Sequence, residues 1–437
     1  MEENMKKLLS IMCASVAAVA VGSSLVACGG GGRTNRPAVE VAMPDMPTGA
    51  VNISVWAPDG AISVYEEMVK DFKAANPDAA SWNVTFEAKG EGDAASAVRT
   101  DPATGPNMYF LASDQIVKQV DQSSLQPLPT KMVDKILKRD ADGACAAAYV
   151  DGYYYCFPNA NSNGYFLIYD TEFFSEKDVK SLDTMVEKAA KAGKKLTFNY
   201  NNGFYNCSFF FGMGLGLGDT SSDGKIDIDS ELGYEAGKTF VKYFGTGATG
   251  VWSTDGGNNG IAEGFKSGDV VAGISGTWVN ENGYMDKMVA NTEGWSEERV
   301  GYTKLPEFKA TNGKTYQMGS FMGAKYLGIN PAKSEAEVAA SLYLADFFNT
   351  QENQIKRYLA TGDAPTNIEA SKDSRVTANR MLAALAAQNA AGGHAQVDVP
   401  TNFWSALTTF GDNIYDGVTT LDNINAAVDA LAAALRQ

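Results

Sequence analysis

Residues 268–284 read GDVVAGISGTWVNENGY. The apolar run Val270–Ile274 has the character of a buried strand. It ends at Ser275-Gly276, and Trp278 then appears among Gly and Asn. A large aromatic ring just beyond a strand end, beside Asn280, can serve as a platform. The C–H faces of a polyhydroxylated ring stack on such a surface. Its hydroxyl edge needs carboxylates and amides, because each buried unpaired polar group costs about 1–3 kcal/mol and charged acceptors bind hydroxyls more strongly. The same tryptophan could equally pack between a helix and the sheet, and the stretch by itself leaves both readings open. Phe403-Trp404 poses the same choice, with at least one of the two rings expected in a core. Asp59 after Pro58, and Asp114 after an apolar run, are acids at strand ends. Either could accept a hydrogen bond from a ligand. Asp59 could instead cap a helix and Asp114 could be a solvated loop acid, or the reverse.

The elements that would position these residues follow from periodicity. Val51–Trp56 alternates apolar and polar. Tyr65, Met68, Val69 and Phe72 recur at helical spacing, and Trp82–Phe86 alternates again. Strand, helix and strand in this order predict a βαβ unit and a parallel sheet. Asn107–Ala112 and Tyr165–Tyr169 read as buried strands. Helices are expected over Leu182–Ala189, Glu337–Phe348 and Ile424–Leu435. Strand ends facing a crevice are where open α/β sheets bind ligands.

Composition narrows the functions. A chain of 437 residues exceeds one ordinary core and predicts two lobes. The net charge of −16 repels phosphate backbones, which argues against nucleic acid. One histidine, His394, excludes histidine triads and multi-histidine metal sites and reads as a solvent-exposed loop or helix-end residue. No cofactor or metal is expected. Gly233–Thr239 mimics a phosphate loop but is one residue short and lies in a helical pattern. Asp219–Glu231 mimics a calcium loop, but its glutamate is displaced by one, and a polar turn with a short strand fits better. Tyr153-Tyr154-Tyr155 alternates in a hairpin and so does not converge on a metal.

The N-terminus sets the compartment. Lys6-Lys7, an apolar run from Leu8 to Val26 and small residues predict a secretory signal over residues 1–27. Leu25-Val26-Ala27-Cys28 resembles a bacterial lipobox, which makes Cys28 the lipidated first mature residue. Residues 28–50 are expected to be a flexible tether, and nothing later is expected to span a membrane. Cys145 and Cys156 are out of register for a bridge across the predicted turn at Asp151-Gly152. Cys156 and Cys207 could pair or remain free thiols.

An ordered series of segments then resembles the extracellular solute-binding proteins of ABC importers, in particular the maltose/maltodextrin-binding branch. The series is ISVWAPDG, NMYFLASDQI, YCFPNANSNGYFLIYD, LTFNYNNGFYN, GISGTWVNENGY, KYLGINPAKSEAEVAASLYLADFF and TNFWSALTTF followed by TTLDNINAAVDAL. The resemblance implies a periplasmic-binding-protein-like fold of two α/β lobes joined by several crossovers around a ligand cleft. The first lobe would take residues 51–159 and 304–350, the second 160–303 and 351–437. It implies an oligosaccharide ligand, ABC permease subunits as partners, a monomer lipid-anchored on the outer face of the cell membrane, and no catalysis. It assigns stacking to Trp278 and Trp404, an aromatic pair to Phe204 and Tyr205, and polar contacts to Asp59, Asp114, Asn163 and Asn280. Where the branch has acids this chain has Ser162-Asn163 and Asn202, and Gly60-Ala61 replaces a basic residue. The sugar is therefore left open. A surface glycoside hydrolase, which needs a carboxylate pair at a set separation, and a polysaccharide-binding adhesin are the competing functions.

Overall fold

The computed structural model describes residues 39–219, 224–246, 250–253 and 260–437. The predicted signal and Cys28 lie outside the described residues, as do Ser221 and Asp223 of the acidic loop. The strands that build the cleft are, in chain order, β1 (Asn52–Ala57), β2 (Asn83–Ala88), β3 (Met108–Ala112), β4 (Cys156–Gly164), β5 (Phe166–Asp170), β6 (Lys195–Thr197), β7 (Trp252–Ser253), β8 (Val270–Ser275), β9 (Val300–Thr303), β10 (Ser320–Ile329) and β11 (Gly393–Ala395).

The expected βαβ unit is present. Ile53, Val55 and Ala57 point into the core while their neighbours face out. The helix Ile62–Ala75 buries Tyr65, Met68, Val69 and Phe72, and β1 and β2 pair in parallel from Asn52↔Asn83 to Ala57↔Ala88. The first sheet runs β11-β10-β3-β1-β2, with β4 also on β10. The second runs β9-β5-β8-β6-β7. Strand β5 shows why its sequence is continuously apolar: Leu167 and Tyr169 enter one core and Phe166 and Ile168 the core on the opposite face.

The helices carry the signals that start and stop them. Ser334 and Glu337 form a capping box before Glu335–Phe348. Ser181 caps Leu182–Ala192, which ends at Gly193 with φ 66°. Gly233–Thr239 lies in the helix Glu231–Phe244. Gly237 is required there because a Cβ would meet Val428 Cγ2 at 2.7 Å on the C-terminal helix Ile424–Leu435. Asp151 and Gly152 both take positive φ in the predicted hairpin, and Tyr149 faces Tyr154. Cys145, Cys156 and Cys207 are buried and form no disulfide. Cys156 lies in the first core and Cys207 in the second, so the possible bridge between them is not made.

Three expectations need correction. Residues 39–50 are not a loose tether. Met43 and Met46 pack on the first core, Thr130 N–H donates to the Val41 carbonyl at 3.0 Å, and Val39 N–H donates to Gly152 at 2.8 Å. Two apolar side chains and a run of backbone partners hold this strap. The segment 304–350 is also divided. Leu305, Phe308, Met318 and Phe321 pack in the second core, because the hairpin Glu307–Lys309/Thr315–Gln317 carries its apolar face there before β10 joins the first sheet. Residues after 351 likewise begin on the first lobe, where Asn367 bridges Asp140. Finally, His394 is half-buried in β11 and stacks on Phe211 with centroids 4.1 Å apart. It does lie just past the end of the helix Arg380–Gly392, one residue beyond its C-cap Gly393.

Candidate functional site

The two sheets face each other across a cleft of about 910 Å³. The carboxyl ends of β1, β2 and β3 open into it from one side and the segment after β8 from the other, the usual position in open α/β sheets. Of the residues expected to bind, Trp278, Trp404, Asp59, Asp114, Phe204, Tyr205 and Asn163 line this one cleft. Asn280 does not. Its side chain donates to Asp286 at 3.0 Å and accepts from the Asp286 N–H, so it secures the start of the helix Tyr284–Asn291.

The second-lobe wall is aromatic. Phe204 lies at its centre, with ring centroids 6.0 Å from Trp278, 6.3 Å from Trp404 and 5.8 Å from Phe321, on which it stacks. Asn202 caps the short helix Gly203–Asn206 by accepting from Phe204 N–H at 2.9 Å, which aims that ring. Trp278 is half-buried in the 3-10 turn Thr277–Gly283 that follows β8. Its ring folds back over Gly276, where a Cβ would collide with the indole and come within 2.6 Å of the Gly164 carbonyl oxygen. Tyr205 is buried behind it. Burial pushes its phenol up to about 12, with hydrogen bonding from Trp278 acting against the shift. Phe403 and Trp404 divide as adjacent helical positions can: Phe403 is fully buried and Trp404 reaches the cleft.

The first-lobe wall and the floor are polar. Asp59 is exposed in the first turn of the 3-10 segment leading into Ile62–Ala75, with no side-chain cap bond. Asp114 is buried at 1% exposure. Its carboxylate accepts from Gln396 at 2.9 Å and from Gln115. Burial raises its pKa, while Lys118 and the two amides act against the rise. Asn163 donates to Gln396 at 2.6 Å, so the amide of Gln396 links two expected site residues.

A second group was not anticipated. Lys325 on β10 lies 3.3 Å from both Glu91 and Asp363, and 5.9 Å over the Trp278 ring. Burial draws the lysine down, but Asp363 and Glu91 outweigh it and hold the ammonium above its usual range. Asp363 also accepts from Ser162 at 3.0 Å and from Thr277 at 3.3 Å. Burial pushes its carboxyl up, yet Lys325 and Arg357 bring it below the usual value. Glu281 crosses the cleft: the Gly60 N–H donates to its Oε1 at 3.3 Å. Burial raises the Glu281 pKa. The one signal for Lys325 in the sequence is a lysine inside an apolar strand, Ala324-Lys325-Tyr326-Leu327. Glu281 stood three residues beyond Trp278 without a pattern to distinguish it.

Among the described residues no helix is long and apolar enough to cross a membrane. Asp227 and Asp229 of the acidic loop are held by Lys225 and Arg436, and Glu231 begins a helix.

This arrangement, with two facing α/β sheets and one deep cleft between an aromatic and a polar wall, is that of a solute-binding protein. The chain belongs to the family of bacterial extracellular solute-binding proteins, whose pattern matches residues 67–384. It is 28% identical to a protein solved with acarbose, covering 89% of this chain and 99% of that one with a TM-score of 0.77. A maltodextrin-binding protein from L. casei BL23, solved without ligand, shares the fold at 20% identity, 89% and 100% coverage and a TM-score of 0.72. A maltotriose-binding protein of Pyrococcus abyssi is 26% identical over 145 residues, 33% of this chain. That match spans 31% of the Pyrococcus protein's length.

Proposed function

We propose that this protein captures an oligosaccharide of the maltodextrin type outside the cell and delivers it to an ABC importer by closing its two lobes. The observation that carries the reading is the pairing of walls. Phe204, Trp278 and Trp404 offer apolar faces to sugar rings, while Asp59, Asp114 and Asn163 offer acceptors and donors to their hydroxyls. The relatives named for acarbose, maltodextrin and maltotriose support the same ligand class. The contact from Gly60 to Glu281 is the kind of bond that lobe opening would break. The lobes are taken as residues 51–159 with 322–372, and 160–321 with 396–437, following the packing. Cys28 is taken as the lipidated first residue of a monomer, held on the outer face of the membrane.

Intrinsic tryptophan fluorescence of the chain from residue 29 tests the reading. Titration with maltose, maltotriose and longer maltodextrins should give a saturable change, and Trp278→Ala should weaken binding about 30-fold, as expected for a central aromatic anchor. Response only to an unrelated oligosaccharide would overturn the maltodextrin assignment. Release of shorter sugars on long incubation would favour a hydrolase instead. Mass spectrometry of the N-terminal peptide from membranes tests the lipid on Cys28.

A further inference from the structure

The strap and the helix beside it define a surface with no role in the cleft. Residues 39–50 lie on the first lobe, and Val41 is bound at both its N–H and its carbonyl by Thr130. Thr130 is the first residue of the helix Thr130–Arg139. This helix has four basic residues and one acid in a chain of net charge −16. Met132, Val133 and Ile136 are buried. Lys131, Lys135 and Lys138, at spacings of four and three, share the opposite face and are exposed. Lys135 pairs with Asp346 at 2.8 Å. Lys131 and Lys138 make no ion pair among the described residues, and they stand two turns apart, about 10 Å along the axis. The chain therefore runs toward Cys28 from beside a basic stripe.

Eleven residue steps separate Cys28 from Val39, a reach of at most about 40 Å. A chain of this size has a radius of gyration of about 22 Å and hence a diameter above that reach. The sequence between them adds Arg33 and Arg36. We propose that the face formed by Lys131, Lys135 and Lys138 rests on an anionic lipid-headgroup surface, so that the anchored protein stands on its first lobe with a fixed orientation of the cleft. Only charges within about 10 Å of the surface act strongly. The stripe is drawn to it while the rest of the acidic chain is repelled. Each lysine at such a surface contributes about five-fold to residence there. The inference rests on Cys28 being the lipid attachment point.

The test couples the chain from residue 28 through the Cys28 thiol to a maleimide lipid in vesicles; the other three cysteines are buried. Amine labelling is read by mass spectrometry on phosphatidylcholine vesicles with and without about one-third phosphatidylglycerol. On the anionic vesicles Lys131 and Lys138 should label about five-fold more slowly than in detergent, while the exposed Lys314 of the second lobe is unchanged. About 1 M salt, which shortens screening to ~3 Å, should abolish the protection. In Lys131→Gln/Lys138→Gln, Lys135 should lose its own protection. Equal labelling on both vesicle types, or protection of Lys314 instead, would overturn the proposal. Cys28 found unmodified in cell membranes would overturn the anchor reading and this proposal with it, whereas equal labelling on the two vesicle types would overturn the proposal alone.

Discussion

The two walls of the cleft differ in how they are held. Phe204, Trp278 and Trp404 on the second lobe are outer faces of a continuous aromatic core that includes Tyr165, Phe321 and Phe403. The groups on the first lobe and the floor are charged or amide side chains, and apart from the exposed Asp59 they are kept in place by hydrogen bonds and ion pairs to one another and to backbone. An aromatic platform is thus positioned by packing, which tolerates substitution at its rim but not in its interior. A polar wall is positioned by partners, so removing one member leaves another unsatisfied. Substitutions in the two walls should separate along that line.

The largest effect is expected at Phe403. Phe403→Ala should destabilise the fold by about 3–5 kcal/mol in urea unfolding, since it opens a fully buried site. Trp404→Ala, one residue away, should leave stability within about 1 kcal/mol and weaken sugar binding roughly ten-fold. Equal effects of the two would erase the distinction between core and platform.

Asp363→Asn comes next. It leaves Lys325 with Glu91 as its one charged partner and gives Ser162 and Thr277 a neutral, weaker acceptor in place of the carboxylate. Loss of one partner from a mostly buried pair should cost about 2 kcal/mol, reduced from the fully buried case by the partial exposure of both side chains. The wild-type contribution has a definite pH course. The folded carboxyl lies below its usual 3.8, so the stability is present above that pH and lost as pH falls through the lower folded value. Asp363→Asn should flatten that part of the acid-unfolding curve.

At Asp114 the sign is opposite. Burial raises its pKa, so the carboxylate is protonated at higher pH than an ordinary aspartate. If it accepts from a sugar hydroxyl, affinity measured by fluorescence should fall as pH is lowered, starting above the usual carboxylate range. Asp114→Asn should remove that dependence and bind about ten-fold more weakly. The smallest effect belongs to His394. Burial lowers its pKa below the usual 6.5, so its contribution is present above pH 6.5 and declines as pH falls through the lower folded value. His394→Phe should reduce this slope by less than about 1 kcal/mol, read from thermal unfolding between pH 7 and pH 5.

Periodicity in the chain determined much of the fold. The βαβ start, the hairpin at Asp151-Gly152, the capped helices and the final amphipathic helix are all local patterns, and each formed where its spacing required. The residue types of the aromatic wall were legible too, because tryptophan and phenylalanine beside Gly and Asn after strand ends are unusual enough to notice. Tertiary structure alone decided the rest. Asn280 and Glu281 are neighbours of the same stretch, yet one turns to bind Asp286 in the first turn of a helix and the other crosses to Gly60. Lys325, Asp363 and Gln396 come from distant segments and acquire their roles only where β10, the turn after Gln351–Thr361 and β11 converge. The strap at Val39–Thr48 looked like a linker because its few apolar residues have no period, and its partners lie at Thr130, Gly152 and Tyr343. Short-range spacing records which face of an element is apolar, but the partners of these polar groups are set by chain crossings tens to hundreds of residues apart, and those exist only in the folded molecule.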